Sequence, residues 1–206
     1  MGAGTTIGMS SGKWYAEFKC TIGGGDGDVG IAYSGRVGQN ARLYNGVGCI
    51  SVEGYNDLNA SVTAVASATK VLEATSVVNE TWATGDIIGI AVDIDNKTVF
   101  WTLNNDPIFF YGSGTPTRSG PRLSQYSATN IMGDHPTWMF GIGTYSDTSL
   151  FHANFGQGDP DGQNNFTDSN GRGGFRFEPP SGFLSLCTTN MRDADYAPIG
   201  PNSAAG

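Results

Sequence analysis

Apolar and polar residues alternate with a period of two through much of the chain. In WYAEFKCTI, Trp14, Ala16, Phe18, Cys20 and Ile22 fall on one side and Tyr15, Glu17, Lys19 and Thr21 on the other. That pattern predicts a half-buried strand with one polar face. GGGDGD reads as a turn, and VGIAYSG (29–35) as a second short strand. LYNGVGCISVEGY (43–55) carries Asn45-Gly46, a pair suited to a two-residue hairpin turn in which both positions need φ > 0. GDIIGIAVDIDNKTVFWTLNN (85–105) predicts a long hairpin: Ile88, Ile90, Val92 and Ile94 share a face of its first arm, and Val99, Trp101 and Leu103 a face of its second. WMFGIGTYS and SLFHANFG (138–156) read as two further strands, with Phe151, Ala153 and Phe155 on one face. No stretch of a dozen residues keeps a 3.6-residue period.

The intervening segments are less patterned. Residues 56–82 mix Ala with dense Val and Thr, which fits short strands or a loop. Residues 106–136 form a long connection punctuated by Gly, Pro and Ser, and connections of that length in a compact domain are often functional. GQGDPDGQNNFTDSNGRGG reads as a second long polar loop, and FRFEPPSGFLSL as a last strand or strand pair broken by two prolines. With 31 glycines among 206 residues, turns and short strands outweigh helices. The expected fold class is all-β: a two-sheet antiparallel β-sandwich or jelly roll with long Gly-rich loops. The expected organisation is a flexible segment over 1–9, the sandwich over 10–187, and a linker-like tail over 188–206.

Charge narrows the partners. The net charge is −8, with only 11 Lys and Arg, and a phosphate backbone needs clustered cations, so nucleic acid is not an expected partner. No apolar run is long enough to span a bilayer, so membrane insertion is not expected. Cys20, Cys49 and Cys187 are an odd number and widely spaced, which argues against a disulfide framework. Cys20 and Cys49 lie within apolar alternation and read as buried thiols.

Candidate chemistry is sparse. Asp93 and Asp95 stand two apart, which on a strand would place them on one face, but glycoside hydrolysis needs an acid and a base or nucleophile across the bond, and a third carboxylate is missing. Their expected role is to accept hydrogen bonds from turn amides. Gly25-Asp26-Gly27-Asp28-Val29-Gly30 matches the spacing of a dinucleotide fingerprint, but that motif needs a following helix, and a β-like run follows instead. His135 and His152 lack metal-ligand spacing; His152, alternating with Phe151 and Ala153, is expected to face outward. Asp159-Pro160-Asp161-Gly162-Gln163 resembles a calcium loop without its Gly at the sixth position or its acid at the twelfth. No Ser-His-acid or Cys-His grouping is legible, so the chain is read as non-enzymatic, with no cofactor and no metal site. Aromatic residues near strand ends and loops offer a better lead, because tyrosine combines a large apolar face with a polar tip. The candidate binding residues are Tyr33, Arg36, Tyr44, Tyr111, Tyr126 and Tyr145.

Several of these segments together resemble the SPRY-domain family. SSGKWYAEFKC resembles its opening strand, with Gly-Lys-aromatic-aromatic-x-Glu, and VGIAYSG its next strand. GDIIGIAVDIDNKTVFWTLNN resembles its central hairpin, and WMFGIGTYSDTSLFHANFGQ its closing strands with the Asn-Phe-Gly ending. The turn after the hairpin usually reads Asn-Gly in that family and is Asn104-Asn105-Asp106-Pro107 here. The resemblance covers roughly residues 10–183. It implies a bent, lectin-like two-sheet sandwich that binds partners through its loops, without a shared set of contact residues. FRFEPPSGFLSLCTTNM further resembles the segment that follows SPRY-like domains in bacteriophage structural proteins. That resemblance implies a virion component, such as a tail fibre, spike or capsid decoration, binding a neighbouring virion subunit or a host receptor. The alternatives are a carbohydrate-binding lectin-like module, with a glycan as partner, and a cytoplasmic SPRY adaptor that captures a peptide. A homo-oligomer is a further expectation for a virion component.

Overall fold

The computed structural model describes residues 2–22, 27–34, 43, 49–54, 61–67, 70–76, 82–107, 110–111, 122–123, 126–127, 132, 135–144 and 149–195. Its strands are β1 (Gly2–Gly4), β2 (Lys13–Ile22), β3 (Gly27–Tyr33), β4 (Cys49–Gly54), β5 (Ser61–Ser67), β6 (Lys70–Ser76), β7 (Ile87–Asp93) and β8 (Thr98–Leu103). They continue with β9 (Asp106–Pro107), β10 (Phe110–Tyr111), β11 (Arg122–Leu123), β12 (Tyr126–Ser127), β13 (Trp138–Thr144), β14 (Leu150–Asn154) and β15 (Leu184–Ser185), before helix α1 (Thr188–Asp195).

Two antiparallel sheets make the sandwich. One runs β1-β13-β3-β4-β5-β6; the other runs β12-β8-β7-β2-β14, with β15 added parallel to β2 and β9 antiparallel to β8. The short strands β10 and β11 pair as a separate two-stranded sheet. Between the sheets lie Trp14, Ala16, Phe18 and Cys20 of β2, Ile88, Ile90 and Val92 of β7, Val99 and Trp101 of β8, and opposite them Val29, Ile31, Ile50, Val52, Trp138 and Phe140. Each large apolar side chain removed from water there contributes about 1.5–3 kcal/mol. The Trp101 indole spans the layer and donates from Nε1 to the Val29 carbonyl at 3.1 Å. The sheets need small residues where backbones crowd. A Cβ on Gly30 would sit 2.1 Å from the Ile50 carbonyl oxygen on the neighbouring strand.

The central hairpin forms as its pattern predicts. Val92 pairs with Val99 and Ile90 with Trp101 across β7 and β8. The following turn works without glycine: Asn104 and Asn105 adopt φ of 51° and 76°, so two asparagines supply the left-handed pair that Asn-Gly would give, and Leu103 then pairs with Asp106. Residues 61–67 and 70–76 resolve the undecided middle segment as two paired strands. The Asn45-Gly46 turn lies outside the described residues.

Four stretches differ from their patterns. The polar face of β2 is not solvated: Tyr15 and Glu17 are buried, 3% and 2% exposed, while Ile22 at the strand end is 51% exposed. The cause is a strap, residues 155–187, that crosses the outer face of this sheet and packs Phe175 and Phe183 on Tyr15 and Ala91. FRFEPP within the strap is not a strand; its contact with ladder geometry is limited to bridges such as Phe166 with Phe175. Gly2–Gly4, expected to be flexible, pairs with Gly141–Gly143, and Met9 is buried in the core. Residues 188–195, expected to be linker-like, form α1, whose Asn190 is drawn into a buried polar cluster.

Candidate functional site

Three features are built from residues whose roles the geometry fixes. The first is the seam under the strap. Glu17 of β2 accepts hydrogen bonds from the Arg176 and Phe177 amides (3.0 and 2.8 Å), from Asn154 Nδ2 (3.2 Å) and from the Tyr15 hydroxyl (3.3 Å). Burial pushes its carboxyl above the ordinary range, and these donors offset only part of that rise. Asn154 also donates to the Gly174 carbonyl and accepts from the Gly156 and Gly158 amides, with Gly156 at φ +113°. The Glu of the opening motif and the Asn-Phe-Gly of the closing one therefore meet in a single hydrogen-bonded junction.

Further along the strap, Asp168 is encircled. Its Oδ1 accepts from the Asn170 and Arg172 amides, and its Oδ2 from the Ser185 amide, the Ser185 hydroxyl and Asn190 Nδ2. Burial alone would raise its pKa, but the Ser185, Arg172 and Asn190 hydrogen bonds prevail and hold it below the usual carboxylate range. Asn190 Oδ1 in turn accepts from Arg172 Nη1 and Asn170 Nδ2. The Leu-Cys-Thr-x-Asn run of the sequence is thus a clasp that ends in α1. Sequence reading missed Glu17, Asp168 and Asn190 as a network; the only local signal was the turn-forming Asp168-Ser169-Asn170-Gly171.

The carboxylates weighed for chemistry are occupied by structure. Asp93 accepts from the Asn96 amide and Nδ2 and pairs with Lys13 at 3.1 Å. Asp95 lies beyond the end of β7, in the Ile94–Lys97 turn, so strand alternation does not align it with Asp93; it accepts from the Gly12 amide. Asp159 and Asp161 both engage Lys19, and the Asp159 carboxylate also accepts from the Asp161 amide. The GxGxxG spacing runs into β3 rather than a helix. Cys20 and Cys49 are buried, and Cys187 is half-buried. Among the described residues no group of three His, Cys, Asp or Glu side chains is placed to hold a metal. Among them, too, no helix is long and apolar enough to cross a membrane.

The second feature is aromatic. Tyr33, at the end of β3, stacks on His135 with ring centroids 4.1 Å apart and planes 12° from parallel. His135 meets Trp138 edge-on at 5.8 Å, and its carbonyl accepts from Trp138 Nε1 at 3.1 Å. Trp138 is 1% exposed, whereas Tyr33 and His135 are half-buried, so a core residue anchors a pair that reaches the surface. Of the predicted binding residues, Tyr33 is the one seen in contact. Tyr111 and Tyr126 are placed on β10 and β12 by their backbones alone, and Arg36, Tyr44 and Tyr145 lie outside the described residues. His152, expected to face outward, is half-buried on β14.

The third feature is a cleft of about 550 Å³ between the Asn104-Asn105 turn and two limbs of the strap, 167–169 and 178–181.

No family model and no curated protein matches the chain. Two SPRY domains are among the solved structures it resembles. It is similar to the SPRY domain of human HERC1, at 12% identity and a TM-score of 0.45, over 73% of this chain and 77% of that one. It is similar also to the TRIM65 PSpry domain, at 10% identity and a TM-score of 0.48, over 74% and 69% of the two chains.

Proposed function

We propose that the chain is a non-catalytic recognition module that docks a protein partner at the end of the sandwich carrying Tyr33 and His135. The observation that supports this is the stacked pair itself. A tyrosine and a histidine, half-exposed and braced on a buried tryptophan, present a rigid aromatic face with polar tips. Such residues lose little conformational entropy on binding and make effective anchors. The carboxylates that could have served catalysis are spent on turns, ion pairs and the seam.

The finer reading is that this module belongs to a bacteriophage virion protein, a tail fibre, spike or capsid decoration, and meets a neighbouring subunit or host receptor. It rests on the resemblance of residues 175–191 to the segment that follows SPRY-like domains in phage structural proteins. A photo-crosslinking amino acid at position 33 tests the docking face, with the same group at exposed Pro160 as control. A protein adduct specific to position 33 is expected; equal adducts at both positions, or none, would overturn the reading. An antibody to the chain, applied to density-banded particles from the source culture, tests the finer one. Signal in the particle band is expected, and signal confined to soluble host protein would replace the virion reading with that of a cytoplasmic adaptor.

A further inference from the structure

We infer that the cleft between the Asn104-Asn105 turn and the strap binds a neutral, hydroxyl-rich ligand, a saccharide unit, at a site separate from the Tyr33–His135 face. Its walls are fixed before any ligand arrives. Asn104 and Asn105 are held in the left-handed turn. Asp168, in the wall, is locked by five donors. The Ser169 hydroxyl accepts from the Gly182 amide at 2.7 Å, and the Ser169 amide donates to the Phe183 carbonyl at 3.3 Å, so the two limbs of the strap are tied to each other.

The lining then offers polar groups that the fold does not consume. The side chains of Asn105, Thr167, Glu178 and Ser181 make no hydrogen bond or ion pair among the described residues, yet all four face one cleft. They supply one carboxamide, two hydroxyls and one carboxylate. That set can accept from and donate to adjacent hydroxyls of one ring, while Pro179 and Pro180 give a short apolar wall for its C–H face.

The same inventory excludes other ligand classes. Among the described residues that line the cleft there is no Lys or Arg and there are two carboxylates, which disfavours an anion. A hard cation needs six or more oxygen ligands, and the Asp168 oxygens are already filled by donors, leaving Glu178 as the single open carboxylate. The cleft volume lies within the usual range for small-molecule sites, about 300–1,000 Å³.

The test is saturation-transfer NMR on the full chain with a panel of glucose, galactose, mannose, N-acetylglucosamine and their common disaccharides. At least one sugar is expected to bind. Glu178→Gln and the double variant Thr167→Ala/Ser181→Ala should each weaken it by roughly tenfold, the effect of losing a hydrogen bond to a charged group or two neutral ones. Tyr33→Ala should leave the sugar affinity unchanged. These cleft side chains have no partners among the described residues, so the variants should melt with the parent chain, and an equal melting temperature shows that loss of binding is local. Absence of saturation transfer across the panel would overturn the inference. So would binding that survives both cleft variants, or binding that EDTA abolishes, which would assign the site to a cation.

Discussion

Trp101 shows how much one residue can hold. Its ring is 1% exposed, fills the space between the sheets, and ties them by its hydrogen bond to Val29. Trp101→Ala should cost roughly 3–5 kcal/mol by cavity formation, read as a shift of the urea midpoint. A midpoint within error of the parent's would show that the layer closes over the gap. Glu17 and Asp168 are both buried carboxylates in the seam, yet their acid dependences have opposite signs. Asp168 titrates below its unfolded value, so its contribution is complete above the ordinary carboxylate range and is lost as pH falls through the folded value. The stability gap between the parent and Asp168→Asn should therefore narrow between about pH 6 and about pH 3 in denaturant melts. Glu17 titrates above its unfolded value, so its contribution is greatest in acid and declines as pH rises through the folded value. A gap for Asp168→Asn that widened in acid would mean the ring of donors does not hold the charged form.

At the scale of elements, the strap is secured at two points, the Glu17 junction and the Asp168–Ser185–Asn190 clasp. Asn190→Ala removes the donor to Asp168 and the acceptor for Arg172 while leaving every apolar contact of the sandwich in place. It should lower stability by about 2–3 kcal/mol and speed amide hydrogen exchange at Ser185 and Phe183 ahead of β7. Uniform exchange across both would show that the strap and the sheets open together. The strands were legible because period-two alternation reports which face is apolar, and Ile88, Ile90, Val92, Val99 and Trp101 of the hairpin 85–105 all face the core as it predicts. The strap was not, because its contacts, polar and aromatic alike, join residues far apart in the chain. Glu17 meets Arg176 and Phe177, and nothing local to KWYAEF distinguishes a carboxylate awaiting such donors from one facing water. The same limit hid the site: Tyr33 was legible as an aromatic at a strand end, but its partner His135 lies a hundred residues away and was weighed only as a metal ligand.

The whole molecule carries a net charge of −8, spread over a sandwich with no described cluster of cations. Labelled duplex DNA should show no retardation with the chain even at about 50 mM salt, where counterion release most favours binding. A shift that weakens as salt is added would reveal a basic surface that the total charge conceals.

The arrangement of β2 also has a consequence for how the chain is made. A ribosome delivers the residues in order, but this strand's neighbours are Ile87–Asp93, Leu150–Asn154 and Leu184–Ser185. WYAEFKC therefore leaves the exit tunnel before any of its partners and waits, with both edges open and an apolar face exposed, until they follow. Release of Leu184–Ser185 is the event that completes its pairing. Translation that stops short of the strap would leave a β-prone strand unshielded, ready to pair with another unfinished chain.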